Sequence, residues 1–254
     1  MKIVTWNVNS VRARLPHVES FLKDEQPDVL LLQELKCESR AFPLFFEDLG
    51  YNYAVYGQKS YNGVALLSKY PIEDVQRGIP NFEDAASRYI EAFTGGVRVA
   101  SVYVPNGQAV NSVAYGYKLQ FLEALYEHSQ YLLTFDEKII IGGDFNVAPT
   151  DDDVYDPIAW KNQVLCSPLE REAFRKIIYA GFTDAVAQSI QGPMPYTWWD
   201  YRKGAFAKDS GLRIDHLLLS PQAVDSLSNT TVHKCMREKD KASDHAPVEV
   251  VLTI

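Results

Sequence analysis

Residues 139–146, IIIGGDFN, join a short apolar run to two polar side chains that alternate along the chain. Three consecutive isoleucines are typical of a buried strand. Successive side chains of a strand point to opposite faces, so Asp144 and Asn146 are expected to point toward the same spot. The segment therefore predicts a central strand whose C-terminal end presents a carboxylate and an amide together.

Similar apolar, β-branched runs alternate with amphipathic stretches along the whole chain. They predict further buried strands at residues 3–6, 29–32, 64–67, 97–104, 214–219 and 248–252. Helices are predicted at 16–26, at 117–133, and from a capping box at 167–170 to Gly181. No linker and no fixed-period repeat interrupts this pattern, which predicts one α/β domain over 1–254 with two sheets.

The composition is that of an ordinary globular protein, with 46% hydrophobic and 23% charged residues among 254. No apolar run reaches about 18 residues, so no membrane partner is expected. Three isolated cysteines offer neither a CxxC zinc pair nor an even set for disulfides. The N-terminus turns polar before a signal sequence could form. We therefore expect a reduced, cytoplasmic protein, and we take it to be a monomer.

The formal net charge of −8 speaks at first against nucleic-acid binding, which needs Lys and Arg to neutralise phosphates. Acidic residues that bind a divalent cation, however, add to the negative count and present a cationic centre once loaded. The positions of the acids in the chain decide between these interpretations.

Polar side chains also lie at or near the ends of the other predicted strands: Asn7 and Asn9, Gln33 and Glu34, Asp215, and Asp244 with His245. A carboxylate in an apolar strand is costly unless it is paired or bound to a cation, which applies to Glu34 and Asp215. Hard oxygen ligands suit magnesium or manganese better than zinc. His245, beside Asp244, could act as a general base or as an oxyanion partner.

Each of these features has an ordinary structural explanation: a strand-end turn, a solvated strand terminus, or a buried salt bridge. Their joint occurrence at several strand ends favours metal-assisted phosphoryl chemistry instead.

The same residues belong to six ordered motifs that resemble those of exonuclease III-type apurinic/apyrimidinic (AP) endonucleases. The motifs are WNVNS at 6–10, LQELK at 32–36, YVPNG at 103–107, GDFN at 143–146, GLRID at 211–215 and SDHAP at 243–247. The intervening YNGVALLS at 61–68 and YTWWDYR at 196–202 also fit the family. The resemblance spans the chain from Lys2 to about Val251.

The resemblance implies a DNase I-like, four-layered α/β/β/α sandwich: two packed mixed sheets flanked by helices, with the active site at one end. It implies Mg²⁺, for which Mn²⁺ can substitute, held mainly by Glu34. The other residues that it places around the metal are Asn7, Asp144, Asn146, Asp244 and His245.

In the family's chemistry, Asp144, positioned by Asn146, would align or deprotonate the attacking water. His245, hydrogen-bonded to Asp215, would contact the scissile phosphate. Phosphate oxygens would also be held by Asn7, Tyr103 and Asn106. Whether Asp144 or the His245–Asp215 pair is the base stays open.

The implied substrate is double-stranded DNA with abasic sites or 3′ ends, cut 5′ to the abasic site to leave a 3′-hydroxyl. A 3′-5′ exonuclease or 3′-phosphatase activity would accompany this cleavage. Trp198, Leu212 and Ile214 match the walls of the family's pocket for a flipped-out abasic sugar, although ordinary core is their alternative explanation. Such a pocket would reject intact nucleotides by steric exclusion. Arg12 matches a phosphate-contacting position, and Arg202 lies near a motif.

Two alternatives share the fold. A phospholipid or inositol-phosphate phosphodiesterase of the same superfamily would lack YTWWDYR and GLRID, and an RNA-binding regulator without nuclease activity would have degraded catalytic motifs. Asn9 stands where some relatives carry an acid, which leaves the number of metal ions open. Residues 151–153 are predicted to form a solvated loop. His216 is predicted to be structural, because it faces away from Asp215 on a strand.

Overall fold

The computed structural model describes the whole chain, Met1 to Ile254, as twelve strands and five α-helices. The strands are β1 (Lys2–Asn7), β2 (Val29–Gln33), β3 (Asn52–Tyr56), β4 (Val64–Ser68), β5 (Ile72–Arg77), β6 (Tyr89–Thr94), β7 (Val97–Tyr103), β8 (Ile139–Asp144), β9 (Thr183–Asp184), β10 (Asp215–Leu219), β11 (Leu227–Val232) and β12 (Val248–Leu252). The helices are α1 (Leu15–Glu25), α2 (Val113–Leu132), α3 (Pro168–Ala180), α4 (Ala185–Ser189) and α5 (Pro221–Val224).

The strands form two mixed six-stranded sheets, in the orders β11-β12-β1-β2-β4-β3 and β5-β6-β7-β8-β10-β9. Only β1–β2 and β7–β8 pair in parallel, and every other neighbouring pair is antiparallel. The parallel pairs lie inside their sheets, so their C-terminal ends are flanked on both sides by other strands. This arrangement places Asn7, Gln33, Tyr103 and Asp144 at strand ends.

The two sheets pack face to face, and their inner side chains form one fully buried cluster. Leu31 from the first sheet and Ile140 and Leu217 from the second belong to it. The packing is tight at Gly142, where an added Cβ would lie 2.7 Å from the side chains of both Leu31 and Leu217. A residue larger than glycine would therefore require these two leucine side chains to move.

Helices cover the outer faces of both sheets. Alternate residues of β1 and β2 pack outward against α1, where Phe21 and Leu22 are buried. The second sheet is covered by α2 and α3, which bury Phe121 and Phe174 among its outward side chains. The result is the four-layered α/β/β/α sandwich that the sequence predicted.

The strands missed by the sequence analysis are mostly those without an apolar run. The edge strands β5 and β11 are largely exposed or half-buried along their length. An edge strand contributes few side chains to the core, so hydrophobic patterning does not reveal it. The predicted helix at 117–133 in fact begins at Val113, where the Ser112 hydroxyl accepts the Tyr115 N–H.

One expectation was wrong in part. Asp151 and Asp152 are exposed, as expected of a solvated loop, but Asp153 is fully buried. Its carboxylate pairs with Arg213 at 2.7 Å, and Arg213 also pairs with Asp184 at 2.6 Å. A buried guanidinium needs such counter-charges. Asp153 lies 60 residues from Arg213 in the sequence, so no local pattern reveals this pair.

His216 is structural, as expected. Its ring is fully buried, contacts the Asp184 carboxylate and the Val147 carbonyl, and packs against Phe145 and Phe174. None of the five α-helices combines the length and the apolar composition that crossing a membrane requires.

We predict that Arg213→Met destabilises the fold strongly, because Asp153 and Asp184 would keep their burial and lose their cation. The expected loss in the free energy of unfolding is about 3–5 kcal/mol. Arg202→Met is the matched control, since its guanidinium pairs with Asp200 while 84% exposed, and it should cost less than about 1 kcal/mol. Urea denaturation measures both, and equal effects would contradict the prediction.

The same variant should change how stability depends on pH. Burial alone would raise the pKa of the Asp184 carboxyl, but Arg213 and His216 hold that pKa below its usual range. A carboxyl with a lowered folded pKa stabilises above its unfolded pKa of about 3.9, and the contribution is lost as pH falls through the folded value. The stability difference between wild type and Arg213→Met should therefore be largest near neutral pH and shrink below about pH 4. A difference independent of pH would assign the effect to packing rather than charge.

Candidate active site

A cavity of about 340 Å³ opens at the end of the sandwich where β1, β2, β7 and β8 terminate. Its walls include most of the residues that the sequence analysis singled out: Glu34, Tyr103, Asn106, Asp144, Asn146, Trp198, Arg202, Ile214, Asp244 and His245. Trp160, Val164, Leu165 and Asp200 complete the lining. Residues up to 211 positions apart in sequence therefore meet at one place.

Asp144 stands at the end of β8 and connects the two sheets. The Asn7 amide at the end of β1 donates to its Oδ2 at 3.0 Å, and the backbone N–H of Asn146 donates to its Oδ1 at 2.9 Å. Burial raises the pKa of the Asp144 carboxyl to about 7, against the opposing charge of His245. A carboxyl with a pKa raised toward neutral pH is suited to accept a proton.

His245 lies between two carboxylates. Its Nδ1 is 2.9 Å from Asp215 Oδ2, and its Nε2 is 3.7 Å from Asp144 Oδ2. The Thr197 hydroxyl donates to the same Asp215 oxygen at 2.6 Å, which fixes the carboxylate that orients the imidazole. Burial alone would lower the pKa of His245, but Asp215 and Asp144 raise it to about 10. The imidazole therefore carries a positive charge at neutral pH.

Thr197, Asp215 and His245 are held together through backbone contacts as well. The isolated bridge between Trp198 and His245 joins the 196–200 segment to the segment before β12. The indole N–H of Trp6 donates to the His245 carbonyl at 3.2 Å, and the Ser243 hydroxyl donates to the Asn7 carbonyl at 2.7 Å. The catalytic candidates are thus fixed to the first strand.

Glu34 lines the cavity but lies apart from this group. It follows β2 with a φ of 59°, and its carboxylate is 3.0 Å from the Lys36 ammonium. Ligand atoms of Asp144, Asp215 and His245 all lie within 4.8 Å of one another, as in a group that could hold a metal ion. Glu34, the predicted main metal ligand, therefore lines the same cavity and forms an ion pair with Lys36.

Asp244 occupies a third position on the cavity wall. Asn9 donates to its Oδ1 at 2.9 Å, and the Trp198 indole donates to its Oδ2 at 3.0 Å. Although burial opposes ionisation, His245 and these hydrogen bonds lower the pKa of the Asp244 carboxyl. Asp244 is therefore ionised across the physiological range.

The cavity collects more negative than positive charge. Burial raises the pKa of the Tyr103 hydroxyl well above its usual value, and the charges of Glu34, Asp144 and Asp244 raise it further. The Arg88 guanidinium, 4.7 Å from the centre of the Tyr103 ring, acts in the opposite direction. A concentration of carboxylate and amide oxygens with excess negative charge fits a hard divalent cation.

Lys118 is a functional candidate that the sequence analysis missed. It is fully buried, donates to the carbonyls of Asn106 (3.1 Å) and Asn146 (2.6 Å), and pairs with Glu170. The amide of Asn106 in turn donates to Asn146 Oδ1 at 3.1 Å. The available signal was a lysine on the helix predicted at 117–133, next to its apolar stripe. Lys118 therefore orients two residues of the cavity without facing it.

The predicted substrate-binding residues have different positions. Trp198 and Ile214 line the cavity, as does the exposed Arg202. Leu212 is fully buried and pairs with Trp198 through two backbone hydrogen bonds of 2.9 Å, and it lines a neighbouring cavity instead. Arg12 is exposed and does not line the cavity.

Comparison with known proteins shows the family of the chain. Residues 4–245 match the endonuclease/exonuclease/phosphatase family. The chain is 34% identical to exodeoxyribonuclease III of Haemophilus influenzae over 98% of both proteins. It superimposes on a 3′-5′ exonuclease from Neisseria meningitidis with a TM-score of 0.98 and 42% identity, and on an AP endonuclease from Archaeoglobus fulgidus with 0.96 and 36%, covering all of each chain.

Family match, overall identity and shared fold extend over practically the entire chain, including the strand ends that build the cavity. The protein belongs to the endonuclease/exonuclease/phosphatase family and, within it, to the exonuclease III-type nucleases of DNA repair.

Proposed function

We propose that the protein hydrolyses phosphodiester bonds of double-stranded DNA on the 5′ side of abasic sites, leaving a 3′-hydroxyl, and that it also acts on 3′ ends. The observation that carries this proposal is the arrangement on one cavity wall: Asp144, held by Asn7, lies 3.7 Å from the His245 imidazole, which Asp215 orients. The exodeoxyribonuclease and AP endonuclease activities named for similar proteins support the same conclusion.

The reaction would use Mg²⁺, with Mn²⁺ as a substitute, because the donors are carboxylate and amide oxygens. Glu34 would be its main ligand, with Asp144, Asp244, Asn146, His245 and, behind Asp144, Asn7 around it; the protonated His245 would face the phosphate rather than bind the ion. When bound, the ion would neutralise charge on the phosphate during the displacement. Lys36 now supplies the counter-charge of Glu34.

The protein groups would divide the chemistry between them. Asp144, with its raised pKa, would accept the proton of the attacking water, since the imidazole of His245 is already protonated. His245 would bind a non-bridging phosphate oxygen through Nε2, and Tyr103 and Asn106 would hold the remaining oxygens. This assignment leaves Asp215 as the residue that orients His245.

Substrate selection would depend on the apolar wall formed by Trp198 and Ile214. A nucleotide is most easily flipped out of the duplex where its base is already missing, because less stacking and pairing is lost. Arg202 at the rim would contact the DNA backbone. Arg12 would also do so if the duplex extends past the cavity, since its side chain is exposed.

The proposed metal dependence predicts the behaviour of Glu34→Ala. Cleavage of an abasic duplex should require Mg²⁺, stop in EDTA, and fall by several orders of magnitude in the variant, equivalent to about 4 kcal/mol or more. High Mg²⁺ or Mn²⁺ should restore part of the rate. Glu38→Ala is the matched control, because its carboxylate pairs with the exposed Arg40 outside the cavity. Full activity in EDTA would refute the metal requirement.

We further predict that Asp144, Asn146, Asp215 and His245 act as one catalytic unit, because their side chains converge on one space. Asp144→Asn and His245→Asn should each reduce kcat/KM by orders of magnitude, and the double variant should lose little more than the worse single variant. Single-turnover rates on the abasic duplex measure this coupling. Logarithmic rate losses that simply add would indicate separate roles.

A further inference from the structure

A second cavity, of about 420 Å³, adjoins the catalytic cavity. Trp160, Trp198, Asp200 and Arg202 line both, so the two cavities are neighbours that share these four side chains. The second cavity lies within the range of about 300–1,000 Å³ typical of ligand sites.

The walls of the second cavity are aromatic and preformed. Tyr155 is 44% exposed and faces the cavity, and its backbone N–H is bonded to the Gly211 carbonyl at 3.2 Å. Trp198 is fixed by its indole hydrogen bond to Asp244 and by its backbone pairing with Leu212. Exposed aromatic faces held in place are surfaces on which nucleobases stack.

The rim of the second cavity is positively charged, although the chain carries a net charge of −8. Arg202, Lys203 and Lys208 contribute three cations, and the single acid, Asp200, is already paired with Arg202 at 3.0 Å. Aromatic faces combined with surplus cations are the features that recognise a nucleotide.

We propose that the second cavity receives the base of an intact nucleotide at a DNA 3′ end while the phosphate of that nucleotide lies in the catalytic cavity. The inference rests on the proposed nuclease function and specifies its substrate range. The sugar occupies the space beside Trp198, and the base extends past Trp160 to stack on Tyr155. One site then serves two substrates: an abasic sugar fills the first cavity only, and an intact 3′ nucleotide fills both.

This inference replaces the expectation that the apolar pocket excludes intact nucleotides by size. If the base occupies the second cavity, the walls formed by Trp198 and Ile214 need to accommodate only the sugar of an intact nucleotide. The preference for abasic sites inside a duplex then comes from the cost of flipping rather than from the shape of the pocket.

Two variants test the proposal from opposite directions. Tyr155→Ala removes a stacking surface, and Ser210→Trp fills the second cavity; neither residue lines the catalytic cavity. Tyr179→Ala, at a tyrosine 80% exposed on α3, is the matched control. Each protein is assayed with Mg²⁺ on a duplex with an intact, recessed 3′ nucleotide and on a duplex with an internal tetrahydrofuran abasic analogue.

We expect Tyr155→Ala and Ser210→Trp to slow removal of the intact 3′ nucleotide about tenfold, because one stacked base is lost. Cleavage at the tetrahydrofuran site should stay within about twofold of wild type, and Tyr179→Ala should change neither rate. Equal losses on both duplexes, or no loss on the intact 3′ end, would overturn the proposal.

A binding experiment separates this inference from the proposed function. Affinities are measured by fluorescence anisotropy in EDTA for duplexes that end in an intact nucleotide or in tetrahydrofuran. Wild type should bind the intact end more tightly, and Tyr155→Ala should abolish the difference; an unchanged difference overturns the proposal. If wild type with Mg²⁺ hydrolyses neither duplex, the proposed function fails, and this binding difference still decides whether the cavity holds a base.

Discussion

Close packing of the two sheets at Gly142 is the constraint on which the site depends. At this position an added Cβ would lie 2.7 Å from the side chains of Leu31 in one sheet and Leu217 in the other. The ends of β1 and β8 then come close enough for Asn7 to donate to Asp144. Any separation of the two sheets would lengthen this hydrogen bond, which positions the proposed base.

Buried charges connect this site to the rest of the fold. His245, Lys118 and Arg213 are all buried, and each is paired with at least one carboxylate. Removing such groups from water is costly, so these pairs are poor sources of stability compared with apolar packing. Their effect is to fix the positions of side chains, because a buried charge is stable only where a counter-charge or a hydrogen-bond partner lies beside it. Lys118 holds two carbonyls of the cavity wall in this way.

Charge distribution also reconciles an acidic chain with a DNA substrate. The carboxylates concentrate at the strand ends, where a divalent cation would neutralise them, and the cations Arg202, Lys203 and Lys208 lie on the rim. Net charge sums these regions and conceals their separation. The phosphate backbone would encounter the basic rim first, and the reacting phosphate would then lie beside the acids.

The sequence by itself determined the layers of the fold and most of the proposed catalytic residues. Strand and helix periods are local, so the runs at 29–32, 64–67 and 139–141 could be identified directly, and with them the polar residues that end β8 and β2. Asp215 and His245 could be identified from the motifs GLRID and SDHAP that contain them. The edge strands β5 and β11 were missed, because they bury too little to show a pattern.

Tertiary structure alone decided which charged side chains form pairs and which side chains line the second cavity. In the sequence, Asp153 cannot be distinguished from the two exposed acids before it, and Lys118 cannot be distinguished from any other lysine on a helix. Only the folded chain pairs Asp153 with Arg213 and Lys118 with Glu170. The second cavity forms only where side chains of the 200–210 segment meet Tyr155, Trp160 and Trp198. Contacts of this kind join residues far apart in sequence, and they form only when the two sheets close, so no local pattern encodes them.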